Sequence, residues 1–74
     1  MPKNNTIGWR IRRAREKLGI SQDELSKLAG VPYTTISKLE VDILDNPTVD
    51  TLTKVAKGLG VPVHELIPSG GKEK

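Results

Sequence analysis

Thr34, Ser37 and Lys38 lie within one short segment, Tyr33-Thr34-Thr35-Ile36-Ser37-Lys38-Leu39-Glu40. At about 100° per residue, a helix sets Thr34 and Lys38 opposite Ile36, with Ser37 beside them. That face would carry hydroxyls and one cation, which are groups suited to hydrogen-bonding a polar surface. Other chemistries lack their residues. There is no cysteine and only one histidine, His64, so no metal site is expected and His64 is read as a surface helix residue. No Ser/His/Asp set or carboxylate pair stands out, and Gly70-Gly71 falls in a tail rather than a phosphate-binding loop. No enzyme, catalytic residue or cofactor is expected.

Charge is unevenly distributed. Residues 1–20 hold six bases (Lys3, Arg10, Arg12, Arg13, Arg15, Lys17) against Glu16, whereas residues 21–71 hold four bases and seven acids. The whole chain carries +3. A basic pole favours a polyanionic partner, although exposed helices also carry charge for solubility. Seventy-four residues, 35% of them hydrophobic, make one domain with a small core. Neither a signal peptide nor a membrane span is visible, so a cytoplasmic protein is expected.

The elements that must hold the polar face follow from apolar spacing. Ile7, Ile11, Ala14 and Leu18 form a stripe on a first helix ended by Gly19. Ser21 and Glu24 form a capping box opening a second helix, with Leu25, Leu28 and Ala29 on its inner face. Gly30 supplies the turn and Val31 points back to the core. Pro32 starts a third helix whose inner residues are Ile36, Leu39 and Glu40. Thr48 caps a fourth, with Val49, Leu52, Val55, Ala56 and Leu59 inside and Gly60 as its stop. Pro62 begins a short fifth helix with Val63, Leu66 and Ile67. The expected architecture is all-α: a flexible arm over 1–5, a five-helix domain over 6–67, and a disordered tail over 68–74.

Residues 21–40, SQDELSKLAGVPYTTISKLE, have helix-turn-helix spacing. With Arg10-Ile11-Arg12 before them and Asn46-Pro47-Thr48, Thr51-Leu52, Val55-Ala56, Leu59-Gly60-Val61 and Glu65-Leu66 after, the chain resembles the phage-repressor and Cro-like (XRE) helix-turn-helix family. The resemblance implies a compact five-helix lambda-repressor-like fold and a transcriptional regulator of double-stranded DNA, in a prokaryotic or phage setting. It further implies that Tyr33, Thr34, Ser37 and Lys38 face base edges, that Gln22, Arg10 and Asn46 meet phosphates, and that Arg15 and Glu40 form an internal ion pair. Lysine suits guanine O6/N7, and a threonine methyl suits the thymine methyl. A homodimer on a palindromic operator and repression by promoter occupancy are the expected mode, with no small-molecule effector evident.

The loop after Glu40 departs from the family pattern. Asp42 stands where relatives commonly have glycine, and Asp45 where a base is usual. Aspartate tolerates the left-handed conformation, but its charge repels phosphate. Ile43 and Leu44 either fold back over the fourth helix or join Val63 and Ile67 in a dimer seam. Trp9 projects away from the first helix's apolar stripe, towards a partner or the chain's own start. These features also suit a protein-binding module, such as an antitoxin or co-regulator with weak DNA affinity.

Overall fold

Hydroxyl caps set three of the four helix starts. At the head of α1 (Ile7–Leu18), Thr6 Oγ1 accepts from the Trp9 amide at 3.0 Å. At α2 (Gln22–Ala29), Ser21 Oγ accepts from the Glu24 amide at 3.0 Å while Glu24 Oε1 accepts from the Ser21 amide at 2.8 Å. Thr48 Oγ1 accepts from the Thr51 amide at 3.1 Å at α4 (Val49–Leu59). Each such cap is worth about 1 kcal/mol. The third helix, α3 (Tyr33–Glu40), has no side-chain cap and starts instead behind Pro32, whose ring fixes φ. This computed structural model describes residues 6–44 and 46–67, and every regular element within them is helical. The expectations for the arm over 1–5, for Asp45 and for the tail over 68–74 lie outside the described residues.

Helix α2 packs on α4, and both α1 and α2 pack on α3. Ile11, Leu25, Ile36, Leu39, Val55 and Leu66 are fully buried between them. The α2–α4 crossing is close because both sides are small. A Cβ added to Gly58 would stand 3.0 Å from the backbone and Cβ of Ala29, so the small residue at 29 has a small partner across the interface.

The fifth helix is instead a single 3-10 turn, Val63–Glu65. Pro62 and Pro68 leave five residues between them, too few for two turns of α-helix, and a 3-10 turn is the economical closure of such a span. Three residues expected in the core are more than half exposed: Leu18, Leu28 and Val49. Leu18 is the last residue of α1 and Val49 the first of α4, and α2 buries Leu25 and Ala29 rather than Leu28. Ile67 is also exposed, whereas Leu66 closes the core. Among the described residues no helix is long and apolar enough to cross a membrane, and no cluster of His, Cys, Asp and Glu is placed to hold a metal.

Candidate nucleic-acid interface

Helix α3 has two unlike sides. Ile36, Leu39 and Glu40 are buried, and they fix the helix against α1 and α2. Tyr33, Thr34 and Lys38 are exposed and Ser37 is half-buried beside them. The structure therefore gathers all four polar candidates onto one helix, on and beside its solvent-facing side. The helix is preceded by Gly30 at φ 69°, a left-handed turn that costs a glycine nothing and most residues about 1 kcal/mol or more. Ser26 Oγ clamps that turn by donating to the Val31 carbonyl at 2.6 Å.

Beneath the ridge lies a buried polar network. Glu40 Oε2 accepts from Arg15 Nε at 2.7 Å, and Glu40 Oε1 accepts from Arg15 Nη2 at 3.0 Å, a bidentate pair. The side chains of Arg15 and Glu40 are only 14% and 3% exposed. Arg15 Nη1 also donates to the Ile20 carbonyl at 2.9 Å, and Gln22 Nε2 donates to Glu40 Oε1 at 3.0 Å. The carboxylate thus ties α1, the head of α2 and the end of α3, and Arg15 ties the turn after α1 to them. The hydrogen bond from Glu40, more than its charge, holds the Arg15 guanidinium above its ordinary pKa, against the opposing effect of burial. A raised cationic pKa stabilises the fold everywhere below the unfolded value and is lost only above the folded one, so Arg15 does not titrate out of the pair near neutrality.

The phosphate candidates fare differently. Gln22 stands at the amino end of α2 with its amide nitrogen held by Glu40, and the second N–H of that group is a further donor. Asn46 is exposed, two residues before the cap of α4. Arg10 is not brought to this face. Its Nη1 donates to the Glu65 carbonyl at 3.1 Å, in a groove lined by α1, the end of α4 and the 3-10 turn and by no residue of α2 or α3. Arg10→Ala is accordingly expected to lower the melting temperature while leaving the salt dependence of any polyanion binding unchanged; titrations at several salt concentrations check this.

The loop after α3 folds onto the helix end. Ile43 and Leu44 amides both donate to the Lys38 carbonyl, at 3.0 and 3.1 Å. Asp42 takes φ 63°. Leu44 is half-buried against the core, whereas Ile43 points outward, 73% exposed. Two contacts escape any reading of periodicity, the Gln22–Glu40 bond and the Arg10–Glu65 bond. Both join residues far apart in sequence through polar atoms.

A capped helix, a glycine turn and a second helix held down by its apolar side, leaving a polar ridge free, define a helix-turn-helix module. A family model described as Helix-turn-helix matches residues 11–66, and the chain belongs to that family. It is 39% identical over 61 residues to the HTH-type transcriptional regulator SinR of Bacillus subtilis, covering 82% of this chain and 55% of SinR. The chain thus spans about half the length of that relative. Among solved structures, SinR in complex with DNA superposes with a TM-score of 0.80 at 39% identity, over 82% of this chain and 97% of that one. The restriction-modification controller C.AhdI of Aeromonas hydrophila gives 0.77 at 28% identity, over 82% and 91%.

Proposed function

We propose that this protein is a sequence-specific, double-stranded DNA-binding transcriptional regulator that inserts α3 into the major groove and represses by occupying a promoter. The observation that carries the proposal is the two-sided α3: Ile36, Leu39 and Glu40 anchor it from below while Tyr33, Thr34 and Lys38 stay exposed. Similarity to SinR, whose structure with DNA shares this fold, supports the same use of the module. Lys38 donates to guanine O6/N7, the Thr34 methyl meets a thymine methyl, and Tyr33 and Ser37 complete the reading face. Gln22 and Asn46 hold phosphates on either side, Gln22 with the dipole of α2 behind it. Arg10 is assigned to the fold rather than to phosphate, because its guanidinium is already engaged at Glu65. Repression needs only occupancy, which a module of this size can supply.

A homodimer on a palindrome is the economical mode, each copy reading a half-site about 34 Å from the other. Selecting bound duplexes from a random pool tests binding, motif and symmetry together. An enriched palindrome is the expected result; recovery of unenriched sequences alone would defeat the proposal. Lys38→Ala is expected to cost about 1–3 kcal/mol on the selected site and to relax preference at one base position, with little change in salt slope. Competition between matched and single-substituted duplexes measures it.

A further inference from the structure

The groove that holds Arg10 is a second, unrelated feature of the surface. Its volume is about 360 Å³, within the roughly 300–1,000 Å³ typical of binding clefts. Leu18 and the half-buried Ala14 and Val61 contribute its accessible apolar lining, over the buried Leu59 and Leu66, and Trp9, Arg13 and Lys17 stand along α1 at its side. Leu18 is more than half exposed there, an apolar side chain left uncovered by the described residues. The Arg13 guanidinium lies 5.0 Å from the Trp9 ring centroid, and among the described residues neither Arg13 nor Lys17 has a carboxylate partner. Leaving Arg10 aside as already engaged, Arg13 and Lys17 stand with one lining carboxylate, Glu65, so among the described residues the groove rim is positively charged. Arg10 braces it from within by holding the Glu65 carbonyl, which joins α1 to the 3-10 turn.

We infer that this groove docks an acidic, amphipathic segment of a partner protein, with apolar residues against Leu18, Val61 and Trp9 and carboxylates meeting Arg13 and Lys17. Charge complementarity selects that occupant. A second copy docked groove to groove about a two-fold axis would bring the same positively charged patch against itself, which disfavours the pairing. A DNA backbone would satisfy the cations but leave the apolar lining unfilled, and no α2 or α3 residue lines the groove. Apolar anchors in a groove with an aromatic wall and a charged rim are the features of helix-in-groove recognition. The inference is independent of the DNA-reading proposal, since the two faces share no residue.

Trp9 is the only tryptophan in the chain, so its fluorescence reports the groove directly. The test titrates the full chain, without DNA, with a synthetic leucine–glutamate peptide whose leucines recur at helical spacing. Controls are a scrambled peptide of the same composition and a leucine–lysine counterpart. A saturable shift of Trp9 emission with the first peptide alone is expected, weakened about tenfold in an Arg13→Gln/Lys17→Gln variant. Both substitutions are on exposed side chains, and circular dichroism verifies the fold. No saturable shift, the result if a second copy or the chain's own ends already fill the groove, overturns the inference. So does equal binding of either control, undiminished binding by the variant, or displacement of the peptide by random duplex DNA.

Discussion

Glu40→Ala is expected to destabilise the protein by about 3–5 kcal/mol, because it strands Arg15 in a largely buried position with its charge uncompensated. A chain of this length has a stability of roughly 4–11 kcal/mol on the usual per-residue scale, so the variant loses a large share of it. The loss exceeds that of any exposed ion pair here. Arg12–Glu16, Asp23–Lys27 and Asp50–Lys54 are solvated i,i+4 pairs of a kind worth roughly 0.3–0.5 kcal/mol each. Two controls separate the stranded charge from lost packing. Glu40→Gln retains the shape and one acceptor but not the charge, and should fall between wild type and alanine. Replacing both partners, as Arg15→Met/Glu40→Leu, removes the charge problem and should recover most of the loss, since apolar substitutes for buried pairs are often neutral or better. Urea unfolding of the four proteins gives the comparison. A Glu40→Ala cost under about 1 kcal/mol would mean that water reaches the pair.

The network has a consequence for recognition as well as for stability. Glu40 closes α3 on its buried side, and through Gln22 it also fixes the head of α2. In the proposed complex, phosphate contacts set register and the α3 side chains read sequence. A carboxylate bonded to both elements couples those two tasks mechanically. The conservative Glu40→Gln variant should therefore show a larger loss on the selected operator than on random duplex, once both are measured under folded conditions.

Much of this was legible in the sequence because it is local. The Ser21–Glu24 capping box, the Gly30 turn and the Thr48 cap are short-range hydrogen-bonding rules, and they sit where residue type places them. The limits lie where burial depends on a neighbour's length. Leu25 and Leu28 are equally apolar and share α2, yet one is fully buried and the other mostly exposed, because the face of α2 that meets α4 carries Ala29 against Gly58, and Leu25 is one helical turn from Ala29 on that face. Leu18 extends past the end of its stripe into the groove, and nothing in its spacing marks that end. Arg10 and Arg15 belong to one basic run: the family resemblance sets Arg15 against Glu40, but only the folded chain sends Arg10 to the Glu65 carbonyl. Polar contacts across 25 and 55 residues have no signature in periodicity.

The same limit hides the second large effect. Gly8 lies in the first turn of α1, and helix propensity favours alanine over glycine there. Propensity alone would make Gly8→Ala a stabilising change. Packing reverses the sign. Gly8 is buried, and a Cβ there would run into the Leu39 carbonyl oxygen and lie 2.8 Å from Asp42 Oδ1. The Asp42 side chain can rotate away, but the obstacle at Leu39 is backbone within the helix that carries the polar ridge. Relief requires α1 and α3 to separate, which loosens Ile11 and Leu39 at the core together. The expected cost is about 3 kcal/mol, at the upper end for overpacking, or a fall of roughly 12–24 °C in melting temperature for a domain of this size. Gly58→Ala, which meets Ala29 at 3.0 Å, should cost less, and Gly58→Ala combined with Ala29→Gly should recover part of the loss. Thermal unfolding by circular dichroism checks the series. If Gly8→Ala melts at or above wild type, α1 and α3 are not in the close contact described, and the height of the polar ridge above the core must be revised with it.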